Sequence, residues 1–484
     1  MLEQSGRVHF EAAVPSAGGA SMFAPDAVLA LRPLNEFRPQ PQRVAQAAAE
    51  LRSLGFAVRH IGSFSVSGDA PRGLWEQVFD THVEQRTRPL SPSHPEAGEL
   101  TYLSHVAGVP FAVPSPLEAL VERAYPQPPP TFHVSPLPPR VPYHHLRVPS
   151  DVAMLLRATH AHRAGITGDG VRVAMPDTGF YSHPFYDWHG YRYQATLAPD
   201  ALHADRDDEG HGTAMAANIL ALAPAADLLG VKMGGNATLA FKTAAELEPA
   251  VISNSWGYDL PGVSALPNFL RPLEAAVAEA VSERGIAVCF SAGNGDMAFP
   301  GMMPQVLSVG GVHAHDTLCG EGLALEASDY ASSFTSLIYP GRHVPDVCGL
   351  VGMQPKAIYI MLPVQPGNAI DVGLSGTPFP EHDETAENDG WAVLSGTSAA
   401  CPQVAGVCAL LRQVQPGLSP VSARELLKAS ARDVSIGRSA MGEPADHGHD
   451  GATGAGLVDA HRACLLAGSA AAHSAARRRP GRER

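Results

Sequence analysis

Val171-Arg-Val-Ala-Met-Pro-Asp-Thr-Gly179 is the stretch on which the fold turns: a short apolar strand, Val171 to Met175, that stops at Pro176-Asp177. A turn at Gly168-Asp-Gly170 and a helical segment from Val152 to Ala164 precede it. After it come a helix of small residues (Thr213 to Leu222), strands at Asp227 to Lys232 and Ala250 to Asn254, a helix from Arg271 to Arg284 and a strand from Ile286 to Phe290. Continuous apolar strands alternating with helices of this length predict a parallel sheet with helices on both faces. Chemistry in such sheets collects at the carboxyl ends of the strands, which is where Asp177 falls.

Two further stretches place reactive side chains. Glu209-Gly-His211-Gly-Thr-Ala-Met-Ala-Ala sets an imidazole at a helix start, with glycine on both sides so that backbone and substrate can approach closely. Leu394-Ser-Gly-Thr-Ser398-Ala-Ala-Cys-Pro sets a hydroxyl at another helix start, where the partial positive charge of the terminus favours a developing oxyanion. A serine hydroxyl is nearly inert at neutral pH unless a base removes its proton, and a carboxylate that orients the base completes the set. Singly, each motif has a plain alternative: a strand-end Asp caps a turn, His-Gly belongs to a loop, and Gly-Thr-Ser is an ordinary turn. Together, in the order Asp177, His211, Ser398 on an α/β pattern, they match a known chain order of carboxylate, base and nucleophile.

These segments resemble the subtilisin-like serine proteases, or subtilases. Thr167 to Gly179 is similar to the family's Asp motif, His211-Gly-Thr to its His motif, and Gly396-Thr-Ser-Ala-Ala-Cys-Pro-Gln-Val-Ala-Gly406 to its Ser motif. Ser253-Asn-Ser-Trp-Gly257 resembles the segment lining one side of the substrate pocket, Ser291-Ala-Gly-Asn294 the oxyanion segment, and Asp450 to Ala460 the closing motif. The resemblance implies that His211 takes the proton of Ser398, that Asp177 holds the imidazole, and that Asn294 and the Ser398 backbone N–H bind the oxyanion. It also implies pocket walls made by Ser255, Trp256 and Gly257 and by Ser291, Ala292 and Gly293, between which an extended peptide adds as a strand. Trp256 has a second reading as a core aromatic. Two departures, Ala399 where the family commonly has Met and Pro176 where it has a hydrophobic residue, remove no reacting group.

Ahead of this lies a separate unit. Residues 1–25 mix Gly, Ser and Ala without periodicity and are expected to form a flexible tail. A strand (Val28 to Leu34), a helix closed by Gly55 (Pro41 to Leu54), a strand or hairpin (Phe56 to Val66, turning at Ser67-Gly68), a helix (Gly73 to Phe79) and strands at His82 to Arg88 and Leu100 to His105 predict an α+β module over residues 26–125. Residues 126–150 are proline-rich and read as an extended, exposed linker of the kind proteases cut. Residues 151–465 form the predicted catalytic domain and 466–484 a basic, solvated tail. The N-terminal module and Gly341-Arg-His-Val-Pro-Asp-Val resemble the sedolisins, a related family with a Glu base and an Asp at the oxyanion position, but His211 and Asn294 keep the chemistry subtilase-like. The expected architecture is α/β: a subtilisin-like, mostly parallel sheet flanked by helices, with a smaller N-terminal α+β (ferredoxin-like) pro-domain as intramolecular inhibitor.

Composition bounds the rest. The 484 residues are 45% hydrophobic and 17% charged, enough to bury a large core in more than one domain. A formal charge of -14 argues against nucleic acid or an anionic membrane as partner; a polypeptide substrate is what the resemblance to the subtilases implies. The start lacks a basic n-region and apolar h-region, and the six cysteines form no CxxC pair; reduced thiols and a cytoplasmic location are expected, with non-classical secretion as the alternative. No cofactor is required and no metal site is read: His447 and His449 match no zinc spacing, and the acidic stretch Glu381 to Asp389 reads as a solvated loop with room for a structural calcium ion. Cys401, one helical turn beyond Ser398, reads as a packing thiol. Against a serine endopeptidase working through an acyl-enzyme stands one alternative from another class, a catalytically silent scaffold that keeps the fold to bind peptides or regulate a partner.

Overall fold

The computed structural model describes residues 6–477 apart from 26, 92–93, 107–108, 110, 130, 133–143, 320–321, 355–356 and 379–380. The N-terminal module runs β1 (Arg7–Ala13), α1 (Pro41–Ser53), β2 (Ala57–Ile61), β3 (Ser65–Pro71), α2 (Arg72–Phe79), β4 (Val83–Ser91), β5 (His94–His105) and β6 (Arg123–Pro126). Four of these strands form an antiparallel sheet in the order β2-β3-β1-β6, while β4 and β5 pair as a separate hairpin. Strand alternation explains the central position of β1. Val8, Phe10 and Ala12 enter the module's own core with Trp75 and Phe79 of α2, whereas His9, Glu11 and Ala13 face the larger, C-terminal part of the chain.

Three expectations are corrected here. The flexible tail of residues 1–25 contains β1, an inner strand of the sheet, because its alternating apolar face finds two partners far along the chain. The expected strand from Val28 to Leu34 is instead two 3₁₀ turns, Leu29–Leu31 and Leu34–Glu36. Pro33 between them removes a ladder donor, and Leu29, Leu34 and Phe37 pack onto the helices Ala237–Glu246 and Arg271–Ser282. Ser67-Gly68, expected to turn, lies inside β3, and the chain reverses over residues 62–64. The expected linker begins with Pro126 in the edge strand β6, a position that tolerates proline; residues 133–143 of it lie outside the described residues.

The larger, C-terminal part of the chain carries an eight-stranded sheet. Its order is Arg192–Leu197, Asp227–Lys232, Arg172–Asp177, Val251–Asn254, Ala287–Ser291, Leu307–Cys319 and Gly322–Ala327, with Val347–Leu350 also paired to Leu307–Cys319. Every pairing is parallel except the hairpin to Gly322–Ala327. Strand order reverses around Arg172–Asp177, and open α/β sheets bind ligands outside the carboxyl ends at such a point. Helices His211–Leu222 and Thr397–Val414 are buried almost end to end beside it. The basic tail expected from residue 466 is corrected in part: the last helix, Ala460–Arg477, runs through that boundary and buries Ala463, Cys464 and Ala467.

Candidate active site

Strand Arg172–Asp177 delivers Asp177, fully buried, to the carboxyl edge of the sheet. His211 opens the helix His211–Leu222 and donates its Nδ1–H to Asp177 Oδ1 at 2.7 Å. The same oxygen accepts the Thr178 N–H at 2.8 Å. So close an approach requires Gly212, since a Cβ there would stand 2.1 Å from the Gly179 carbonyl oxygen. Burial disfavours a charged imidazole, but the Asp177 carboxylate, with Glu209 and Asp207 beyond it, more than offsets this and holds the His211 pKa above its ordinary value.

Ser398 is the second residue of the helix Thr397–Val414. Its Oγ donates to the Ser255 carbonyl at 3.3 Å, and its own carbonyl accepts the Ser255 hydroxyl at 2.8 Å. The neighbouring Trp256 donates its indole N–H to the Pro176 carbonyl at 3.1 Å. One short segment thereby ties the end of the Asp177 strand to the start of the Ser398 helix. Asn294, just past strand Ala287–Ser291, accepts through Oδ1 from the Thr397 N–H (2.9 Å) and hydroxyl (3.1 Å). That fixes the amide, and its buried Nδ2 has no hydrogen-bond partner among the described residues. A buried donor left over in this way calls for an explanation.

The segments expected to wall the pocket lie to either side. Ser291 and Ala292 are fully buried, and the Gly293 N–H donates to Thr397 Oγ1 at 3.3 Å. The Trp256 side chain belongs to the core, edge-on to Phe290 at 5.3 Å. The backbone of Trp256 and Gly257, by contrast, forms a strand edge, and that edge is covered. A two-residue strand, β7 (Thr131–Phe132), pairs antiparallel with it, Phe132 opposite Trp256 and Thr131 opposite Gly257. Just upstream, Gln127 Nε2 donates to the Phe269 carbonyl at 3.0 Å and the Tyr258 hydroxyl to the Pro128 carbonyl at 3.2 Å.

Sequence reasoning misses Asp207. This fully buried carboxylate accepts through Oδ1 from the Thr178 hydroxyl (2.8 Å) and Gly210 N–H (2.9 Å), and through Oδ2 from the Thr213 N–H (2.8 Å) and hydroxyl (2.6 Å). Thr178 Oγ1 in turn accepts the Gly212 N–H at 2.9 Å. One side chain thus clamps the loop after Asp177 to the first turn of the His211 helix. Its signal was an Asp followed at six residues by a Thr across a helix start, the composition of a cap. Glu209, partly buried, is pushed up to about 7 by burial, with His211 pulling it down and Asp207 and Asp177 pushing it up.

The acidic stretch is braced internally. Asp383 accepts the N–H groups of Thr385 (2.9 Å) and Val393 (2.8 Å), and Asp389 those of Trp391 (2.8 Å) and Ala386 (2.9 Å). Among the described residues no group of three or more His, Cys, Asp or Glu is placed to hold a metal ion. Cys401 is buried, its Sγ 3.4 Å from the Asn254 carbonyl oxygen, and burial pushes its thiol up to about 12.

Residues 168–456, more than half of the chain, match the model of the Subtilase family. The chain belongs to the subtilase family. This subtilase is a serine-type endopeptidase acting on polypeptides, in a family that generally works without a cofactor. It is 27% identical to M-protease of Shouchella clausii over 320 residues, covering 64% of this chain and 68% of that protein. It is 31% identical to serine protease AprX of Bacillus subtilis over 296 residues, covering 54% of this chain and 61% of the relative. Subtilisin Savinase of Lederbergia lenta is 27% identical over 291 residues, covering 58% of this chain and 90% of that protein. The crystal structure of fervidolysin from Fervidobacterium pennivorans, a keratinolytic enzyme related to subtilisin, matches the subtilase's fold with a TM-score of 0.54 over 96% of this chain and 62% of that one, at 18% identity. The expected cytoplasmic location is corrected: it conflicts with the secreted, extracellular subtilisins among the chain's homologues. Among the described residues no helix is long and apolar enough to cross a membrane.

Proposed function

We propose that this subtilase hydrolyses peptide bonds through an acyl-enzyme on Ser398, with His211 as general base and then general acid and Asp177 holding the imidazole in tautomer and orientation. The observation that carries the reading is Asn294: its amide is locked by Thr397, next to Ser398, and its buried Nδ2 is a donor left over for a substrate oxyanion. The Ser398 backbone N–H, at a helix start, is the second donor. Substrate extends along the Trp256–Gly257 edge, between it and the backbone of Ser291 to Gly293. Ser398 Oγ attacks the carbonyl carbon as His211 accepts its proton; the tetrahedral oxyanion collapses, the C–N bond breaks, and His211 passes the proton to the leaving amine. Water then repeats the attack on the acyl carbon and frees Ser398. The raised His211 pKa suits this step, because the carboxylate that raises it stabilises the imidazolium that forms.

The N-terminal module acts, on this reading, as an intramolecular inhibitor, because Thr131–Phe132 sits on the edge that a substrate needs. Cutting within residues 133–143 lets that segment leave. A structural calcium ion, common in subtilases, takes no part in these steps; if one is held, EDTA lowers Tm. A fluorophosphonate probe tests the nucleophile: the parent chain should be labelled and Ser398→Ala should not, and labelling retained in the variant would end the assignment.

A further inference from the structure

Both walls of the cleft lead into carboxylates. The strand Trp256–Asp259 closes on Asp259, a partly buried residue that lies opposite Ala298 in an antiparallel pairing and accepts the Met297 N–H through Oδ1 at 2.9 Å. The other wall, Ser291 to Asn294, runs on to Asp296, which is only 5% exposed and accepts the Asn294 N–H through Oδ2 at 3.4 Å. Met297, bonded to Asp259 and next in sequence to Asp296, brings the two acidic residues to one floor. Gly293 lies against Asp296: its φ is +115°, and a Cβ there would stand 2.8 Å from the Asp296 carbonyl oxygen and 3.2 Å from the Asp296 Cβ. A bare backbone at that point leaves the slot between the walls to a substrate side chain.

On the proposed course of the substrate, Asn294 receives the oxyanion, which forms from the carbonyl of the residue just before the scissile bond. That residue's side chain starts one carbon from the same carbonyl and enters the slot beside Gly293. Asp296 stands two residues beyond Asn294, and Asp259 two residues beyond Gly257. Acidic groups gathered where water is scarce favour a cation between them. The intact chain already brings one close. Arg88, on β4 of the N-terminal module, donates Nη2 to the Pro129 carbonyl at 2.8 Å, next to the Pro128 carbonyl that takes the Tyr258 hydroxyl. Burial lowers the Arg88 pKa, while Tyr102, Tyr258, Asp296 and Asp259 act to keep its charge. The sequence holds a second guanidinium: residues 133–143, the stretch to be cut, include one arginine, Arg140, and no lysine.

We infer that this subtilase cleaves after basic residues: Asp259 and Asp296 hold the guanidinium or ammonium group of an arginine or lysine immediately before the scissile bond, and Arg140 is the one its own linker supplies. The inference rests on the reading of Ser398 as nucleophile and of the Trp256–Gly257 edge as the place where substrate pairs. Arginine should lead lysine, because its planar fork can engage carboxylates through two N–H bonds at once. Leucine in the same place leaves both carboxylates without a cation, a mismatch far costlier than a missing methylene. A plainer role for Asp296, bracing the Asn294 backbone, would affect every substrate alike and leave their ranking untouched.

The ranking is therefore the test. Internally quenched peptides that differ only in the residue before the scissile bond (Arg, Lys, Leu, Phe or Glu) are given to the full chain after incubation. kcat/KM for arginine should exceed that for leucine by on the order of 100-fold or more; leucine cut as fast as arginine would overturn the inference. In Asp259→Asn with Asp296→Asn the arginine-to-leucine ratio should fall at least about tenfold, and a ratio that stays where it was would contradict the assignment of these two residues. Should that pair fail to fold, Asp259→Asn alone and the parent's own ranking decide. Within the chain, Arg140→Gln should stop self-cleavage and Arg140→Lys restore it, with the larger product beginning at Val141 by intact mass; undiminished cleavage of Arg140→Gln would count against the inference. Fluorophosphonate labelling of the same samples separates the two readings: a labelled enzyme without the ranking loses this inference and keeps Ser398 as nucleophile, whereas an unlabelled one loses both.

Discussion

Two of the contacts that join the N-terminal residues to the catalytic domain differ in kind. In the cleft, Thr131–Phe132 pairs with Trp256–Gly257 through backbone, as any extended peptide can. On the far face, Glu11 meets Lys242 in a buried ion pair and Leu29 and Phe37 complete a core, contacts that only this sequence makes. The first must yield to substrate and is short and tolerant of sequence; the second stands clear of the chemistry and is as specific as an interior. Substitutions should therefore separate: those near the cleft alter turnover and leave stability, and those on the docked face do the opposite.

The largest effect falls on the cleft side. Asp177→Asn keeps the shape but not the tautomer control, and kcat on a peptide substrate should fall on the order of 10⁴-fold with Tm little changed. A matching collapse of Tm would show that Asp177 serves the fold instead. On the docked face, Lys242→Met leaves Glu11 as a buried carboxylate without its cation and should cost about 3–5 kcal/mol in a urea unfolding experiment on the intact chain; kcat after cutting should stay within a factor of two or so of the parent. If turnover falls instead, the two regions are coupled and the comparison fails.

Asn294→Ala sharpens the cleft side, with an expected loss of about 100- to 1000-fold in kcat and little change in KM, the mark of a donor used in the transition state. The smallest effect is a shift in pH dependence. His211 is raised above the ordinary 6.5, and it acts as a base only when neutral, so kcat/KM should rise with pH through a midpoint above 6.5. Glu209→Gln removes one of the negative charges that raise it, and the midpoint should move to lower pH; an unmoved midpoint would deny Glu209 any electrostatic role.

How much of this was legible in the sequence follows the range of each signal. Asp177, His211, Ser398 and Asn294 stand at strand ends and helix starts, where a few adjacent residues carry the message, and the parallel sheet follows from the strands between them. β1 was not legible because its partners, β3 and β6, lie more than fifty residues away and its alternation is only seven residues long. The segment from Val28 to Leu34 looked like a strand because its apolar residues cluster, yet what they pack against is a helix pair more than two hundred residues on. Asp207 escaped because its role exists only when Thr178 and Thr213, from two stretches, converge on one carboxylate. Location failed for a different reason: an N-terminal sequence pattern was asked to say where a protein resides, and the relatives speak otherwise.

The most direct test of the two-contact account is the rate of fluorophosphonate labelling at Ser398, measured on the freshly folded intact chain and again after the linker is cut. The account predicts slow labelling before the cut and fast labelling after it. Equal rates before and after would contradict it.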